Sequence, residues 1–171
     1  MKLIFVIIII LTIGNNGVFC KQMDVFNFRM NVPDGWQKQE GNQNLFIAKA
    51  TSVSKNDLGI QFQDNVVVTK EVVGLNSARL FRKDPAFYME VSLYSMLKSL
   101  LITKIDAVTI NGIDGVYIES TFTQNSISVS TIQFYFLIDD NLIGVAYSSL
   151  STDILKNKKL FTTSLYSISK K

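Results

Sequence analysis

The sequence predicts an α+β fold, a mainly antiparallel β-sheet flanked by helices in an α/β/α sandwich. Three observations predict it. First, residues 107–149 read as consecutive antiparallel strands. In the longest run Ile132, Phe134, Phe136 and Ile138 fall on one face and Gln133, Tyr135 and Leu137 on the other, a period of two that no helix produces. The second face is not very polar, so both faces are expected to be covered. Second, Asp84-Pro85 is a helix start signal, with Asp as the cap and Pro in the first turn. Third, strands, a helix, more strands and a last helix follow one another without βαβ alternation, the order of an α+β domain.

The elements can be justified in turn. Asp24 to Val32 alternates, with Phe26, Phe28, Met30 and Val32 facing one way and Asn27, Arg29 and Asn31 the other. Pro33-Asp34-Gly35 stops that strand with turn chemistry, and Trp36 follows. Gly41 to Asn44 is a second turn, leading to a strand over Leu45 to Thr51. Lys55-Asn56-Asp57 breaks it before Gly59 to Gln63, and Val66 to Thr69 is β-branched. Four strands are therefore predicted before residue 75. Gly74 to Lys83 carries no clear period and reads as a loop or a poorly formed helical turn. From Pro85 to Ile102, Phe87, Val91, Tyr94 and Leu97–Leu101 recur at helical steps, with Glu90, Ser92, Ser95, Lys98 and Ser99 as the polar side. Asn111-Gly112 and Asp114-Gly115 supply a turn cluster after Ala107–Ile110, and Asp139-Asp140-Asn141 supplies the next. The final helix begins near Ser151 or Thr152 with Asp153 in its first turn. Its apolar side is Ile154, Phe161, Leu165 and Ile168.

The N-terminus is the most specific signal. Met1-Lys2 gives a positive start, and Leu3 to Ile13 is apolar except for Thr12. Such a run is too short to span a bilayer, which needs about twenty residues, and it matches the core of a secretory signal peptide. Residues 1–20 are therefore expected to be a signal peptide and residues 21–171 a single domain, secreted or periplasmic. Cys20 is the only cysteine. Two fates are open to it: removal with the leader, or lipidation as the first mature residue, which would anchor the chain to the envelope. Phe19 makes Gly17-Val18-Phe19-Cys20 a weak lipobox, and removal would leave a domain with no disulfide that relies on core packing.

Composition excludes several chemistries. With no histidine in 171 residues, Ser-His and Cys-His nucleophile pairs and most zinc and copper sites are absent. No Gly-rich phosphate loop precedes a helix. Adjacent Asp139 and Asp140 read as a turn, and no other carboxylates show catalytic or calcium-loop spacing. A net charge of +3 without a basic stripe argues against nucleic acid. No catalytic residue, cofactor or metal is therefore expected. The candidates for contact with a partner or membrane are Arg79, Phe81, Arg82 and Lys83, which mix basic and aromatic residues in one segment. Trp36, the sole tryptophan, is either a binding platform or an anchor for the strand end.

Three stretches resemble the PsbP-like and DcrB-like superfamily: Phe28 to Trp36, Ile110 to Tyr117, and Leu160 to Leu165. Together they span nearly all of the chain after the leader. The resemblance implies an antiparallel sheet between helices, an extracytoplasmic address and no enzymatic activity. Members act as accessory or scaffolding proteins: extrinsic photosystem II subunits, envelope lipoproteins, chaperones of secreted toxins. The lack of histidine departs from the metal binding attributed to photosystem subunits, and the weak lipobox departs from envelope lipoproteins. No binding residue carries over. The expectation is an accessory protein acting through protein–protein contact, with membrane contact only if Cys20 is lipidated. The alternative is a carrier holding a lipid or other apolar ligand between the helix and the sheet.

Overall fold

The computed structural model describes residues 21–96, 99–124 and 126–171; the expected leader and Cys20 lie outside them. The strands are β1 (Lys21–Val25), β2 (Phe28–Val32), β3 (Gln37–Asn42), β4 (Leu45–Lys49), β5 (Ser54–Lys55), β6 (Gln61–Phe62) and β7 (Asn65–Val72). Two helices follow, α1 (Leu75–Lys83) and α2 (Pro85–Met96), and then β8 (Leu101–Ile110), β9 (Ile113–Gln124), β10 (Ile127–Ile138) and β11 (Asn141–Leu150). Helix α3 (Ile154–Leu165) and β12 (Ser169–Lys170) complete the described chain. The α+β expectation holds. One seven-stranded antiparallel sheet has the order β3-β4-β7-β11-β10-β9-β8, and a small sheet has the order β1-β2-β12.

The large sheet has a core on each face. On one side Phe134, Phe136 and Ile132 of β10 meet Phe28 and Met30 of β2 and Phe161 and Leu165 of α3. On the other, Tyr135 of β10 and Val116, Ile118 and Phe122 of β9 meet Ala78 and Phe81 of α1 and Met89 and Leu93 of α2. The period-two pattern read in β10 is therefore real, and both of its faces are buried as expected. The Asn111-Gly112 turn also forms as read. Both residues have positive φ, 49° and 76°, the geometry of a tight hairpin turn whose twist matches the flanking strands. Asp114-Gly115, by contrast, belongs to β9 rather than to the turn.

Four expectations fail, each for a physical reason. The single strand over Asp24–Val32 is a hairpin of β1 and β2, with Val25 opposite Phe28. Its reversal at Phe26-Asn27 places Phe26 at φ 49°, a backbone region that a bulky side chain rarely occupies, so no turn residue announced it. Among the described residues, seven strands, two of them two-residue pieces, precede residue 75 rather than four. Residues 75–83 are the nine-residue helix α1, not a loop or a poorly formed helical turn. Gly74 precedes it without a side-chain cap, so the usual start signal is missing. The helix expected to run to Ile102 ends at Met96, and β8 begins at Leu101, where β-branched Ile102, Thr103 and Ile105 favour the pleat.

Gly115 pairs across from Phe136. A Cβ there would lie 2.3 Å from the Tyr135 carbonyl oxygen and 2.6 Å from the Phe134 ring, and neither can yield without moving the central strand. At Gly112 the surrounding space is open, and only the left-handed backbone penalises a side chain. Gly115→Ala is accordingly expected to cost about 3 kcal/mol and Gly112→Ala roughly 1 kcal/mol, read from denaturant midpoints. Equal losses would contradict this packing.

Candidate partner-binding face

Helices α1 and α2 meet at one residue. The Asp84 N–H donates to the Leu80 carbonyl at 3.0 Å, ending α1, and the Asp84 carboxylate accepts from the Phe87 N–H at 3.0 Å, starting α2. The start signal at Asp84-Pro85 was thus legible, whereas the helix before it was not. Arg82 and Lys83 in the last turn of α1 suit the negative end of its dipole.

The two helices present different outer surfaces. In α1, Ala78 and Phe81 are buried, while Arg79, Arg82 and Lys83 are exposed. Arg82 is tied back to the β10–β11 turn: it donates to the Asp139 carbonyl at 3.0 Å and meets the Asp140 carboxylate at 3.4 Å. Both charged partners are more than half exposed, so this pair contributes little to stability. In α2 the buried side is Met89 and Leu93, with Ala86 and Met96 partly buried. This reverses the expected orientation. Phe87 (63%), Val91 (54%) and Tyr94 (48%), read as the core stripe, are exposed to solvent. The reason is that α2 carries two apolar stripes, Met89 with Leu93 and Phe87 with Val91 and Tyr94, and helical spacing cannot say which one meets the sheet.

Among the sequence candidates, Phe81 and Arg82 line an open cleft of about 580 Å³ at one end of the sheet, with Pro85, Val108, Asp114, Leu137 and Lys170 among its other walls. Arg79 and Lys83 lie on the outer surface of the same helix. Trp36 is not with them. Its ring lies 6.0 Å from Tyr147 and 5.9 Å from Phe161, in the core on the opposite side of the sheet. Trp36 thus packs against that core, apart from the basic segment. The exposure of the Phe87, Val91 and Tyr94 stripe was the feature missed, because Met89 and Leu93 offer a second apolar stripe on the same helix.

The space between α2 and the sheet, allowed for as an apolar ligand site, is filled by side chains. Met89, Leu93, Val116, Ile118 and Tyr135 are each no more than 3% exposed there. Beneath them Gln133 donates to Ser120 at 3.0 Å and to Thr131 at 2.5 Å, and accepts from the Tyr135 hydroxyl at 2.5 Å. Burial raises the Tyr135 pKa above its ordinary value, so the hydroxyl stays protonated as a donor. Two carboxylates have raised pKa values through burial, Asp64 and Glu71. They lie at opposite ends of β7, about 23 Å apart at the rise of an extended strand, and cannot act on one substrate. Among the described residues no three acidic or sulfur-bearing side chains converge on a metal position, and no helix is long and apolar enough to cross a membrane.

No protein-family model matches the sequence. No curated protein matches it either. Solved structures do match over almost the whole chain. The cyanobacterial PsbP (CyanoP) of Synechocystis sp. PCC 6803 superimposes with a TM-score of 0.58 at 11% identity, over 93% of this chain and 95% of that one. The fold is PsbP-like. LpqN, described as involved in cell envelope biogenesis of Mycobacterium tuberculosis, gives a TM-score of 0.60 at 11% identity over 91% of each chain. PA94 of Pseudomonas aeruginosa gives 0.55 at 12% identity, over 92% of this chain and 99% of that one. At these identities the likeness establishes the PsbP-like fold and no shared residue role.

Asp64 supplies a test of the electrostatics. Asn157 donates to its Oδ2 at 2.7 Å, while Oδ1 is buried with no hydrogen-bond partner among the described residues. Desolvation, the leading cause, raises its pKa, and Asp153 adds to the rise. The folded state thus holds this proton more tightly than the unfolded chain, and stability falls as pH rises through the carboxylate range. Asp64→Asn is expected to remove that part of the slope as pH rises above the ordinary aspartate range, measured by urea midpoints. A variant whose profile parallels the parent would contradict the assignment.

Proposed function

We propose that this chain is an exported, non-enzymatic accessory protein that holds a protein partner against the outer face of α2. The observation that carries the reading is the solvent-exposed stripe of Phe87, Val91 and Tyr94 on a helix whose other side is already in the core. Three large apolar side chains exposed side by side on one helix mark an interaction site. Arg79 and Lys83 on the neighbouring helix add a basic rim, which suits a partner whose apolar ridge is bordered by acidic groups.

The address rests on the leader, Lys2 followed by the apolar run Leu3–Ile13, and is supported by the fold shared with LpqN, a protein involved in cell envelope biogenesis. Chemistry supports the non-enzymatic reading: the chain has no histidine, and the two carboxylates whose pKa burial raises, Asp64 and Glu71, lie far apart along β7.

Affinity capture of the mature chain from its native envelope, followed by mass spectrometry, tests this. Wild type is expected to retain a defined protein. Val91→Glu should weaken that retention about tenfold to a hundredfold, since burying such a side chain contributes about 1.5–3 kcal/mol, while leaving the thermal midpoint nearly unchanged. Retention of the same partner by both forms would refute the assigned face, and capture of lipid without protein would refute the partner class.

A further inference from the structure

Strand β8 closes one edge of the large sheet. Among the described residues nothing pairs with its outer side, and nine of its ten residues, Leu101 to Thr109, are exposed or partly so, leaving only Ile110 at the turn buried. The two-residue turn at Asn111-Gly112 makes Ile110 and Ile113 the first hydrogen-bonded pair of the hairpin. Alternation then directs the N–H and C=O of Val108 and Asp106 towards β9. Those of Ile105, Ala107 and Thr109 point outward, unpaired by β9.

Such an edge normally carries charge or proline that repels another strand. β8 has no proline, and its two charges, Lys104 and Asp106, are of opposite sign and meet at 3.1 Å. They flank Ile105 symmetrically. An antiparallel copy of β8 placed about a two-fold axis at Ile105 would set Lys104 opposite Asp106 of the second copy, and Asp106 opposite its Lys104. The outward backbone groups of Ile105 would meet one another. Shifting the axis by one residue either way places Asp106 against Asp106 or Lys104 against Lys104. Like charges directly opposite are unfavourable, so the charge pattern selects one register. The irregularity between Ile102 and Lys104 limits the regular pairing to a short stretch, the dimension of a weak and reversible association.

We propose that β8 is a self-pairing edge: two copies of this chain associate by antiparallel β8–β8 addition centred on Ile105, with Lys104 and Asp106 as the reciprocal charge pair. This surface is separate from the α2 stripe, and the inference does not depend on the proposed function.

Sedimentation velocity on the purified protein tests it with two single variants, Lys104→Asp and Asp106→Lys. Wild type should shift from monomer to dimer with rising concentration. Each variant alone places like charges across the axis and should weaken association at least tenfold. Mixing the two variants makes every cross-strand pair opposite in sign, and a heterodimer as strong as the wild-type dimer should form. Both side chains are exposed, so circular dichroism and thermal midpoints should remain close to wild type. Three results would each overturn the proposal: a wild-type protein monomeric up to about 1 mM, a dimer indifferent to either reversal, or a mixture that associates no better than its components.

Discussion

The structure depends on β10 being buried on both faces. Its neighbours β9 and β11 pair with it along most of its length, and each face must be covered by something that the rest of the chain provides. On one side Phe134 and Phe136 stack at 5.0 Å, and Phe28 meets Phe136 edge-on at 5.4 Å. That contact docks the β1–β2–β12 sheet. Tyr147 stacks on Phe161 at 5.0 Å and its hydroxyl bonds with Ser164, which donates to the Asn31 carbonyl, joining α3, the large sheet and β2 at one point. On the other side the central strand turns polar groups inward. Thr131, Gln133 and Tyr135 would each cost free energy if buried without partners, and with Ser120 they satisfy one another beneath α2. A network of this kind fixes one arrangement of the helix layer over the sheet.

The same two-sided burial explains what was legible in the sequence. Period two in β10, the Asn111-Gly112 turn and the Asp139-Asp140 turn are local signals, because the residues that make the turn are the residues that announce it. Asp139, with φ 55°, takes the left-handed conformation that short polar side chains tolerate. Where the structure departs from expectation, the deciding contact is distant in sequence. Phe26 occupies an unfavourable backbone region because its ring packs on the first core and lies 5.2 Å from the Lys70 ammonium group. β7 separates β4 from β11 in the sheet, a placement that no local pattern encodes. For α1, nine residues with only Ala78 and Phe81 buried are too few for a clear helical period.

The candidate site was legible in composition and not in geometry. Arg79, Arg82 and Lys83 could be picked out as a basic group, and their helix does lie at the surface. The orientation of α2 could not be picked out, since Met89 and Leu93 are no more apolar than Phe87 and Val91. The arbiter is the surface they meet: Met89 and Leu93 fit the small-and-branched floor of Val116, Ile118 and Val129, leaving the bulkier Phe87 and Tyr94 outside. A fold that hosts many functions confers none by itself, so the functional content lies in such leftover surfaces. Here the leftover is apolar and about half or more exposed to solvent.

The two surfaces also bear on each other. The stripe on α2 points away from the sheet, whereas the free edge of β8 lies in its plane, so occupancy of one does not obstruct the other. Antiparallel pairing about an axis normal to the sheet keeps like faces together, because directly opposed residues project to the same side. Both α1–α2 layers of a β8-paired dimer would therefore stand on one face of a continuous sheet, with their apolar stripes directed the same way. A partner with two copies of its own docking ridge would meet both at once, and the second contact would form at high effective concentration. Weak edge pairing and a modest stripe are each poor sources of affinity alone. Joined by the rigidity of the sheet, they would give a retention that neither could provide.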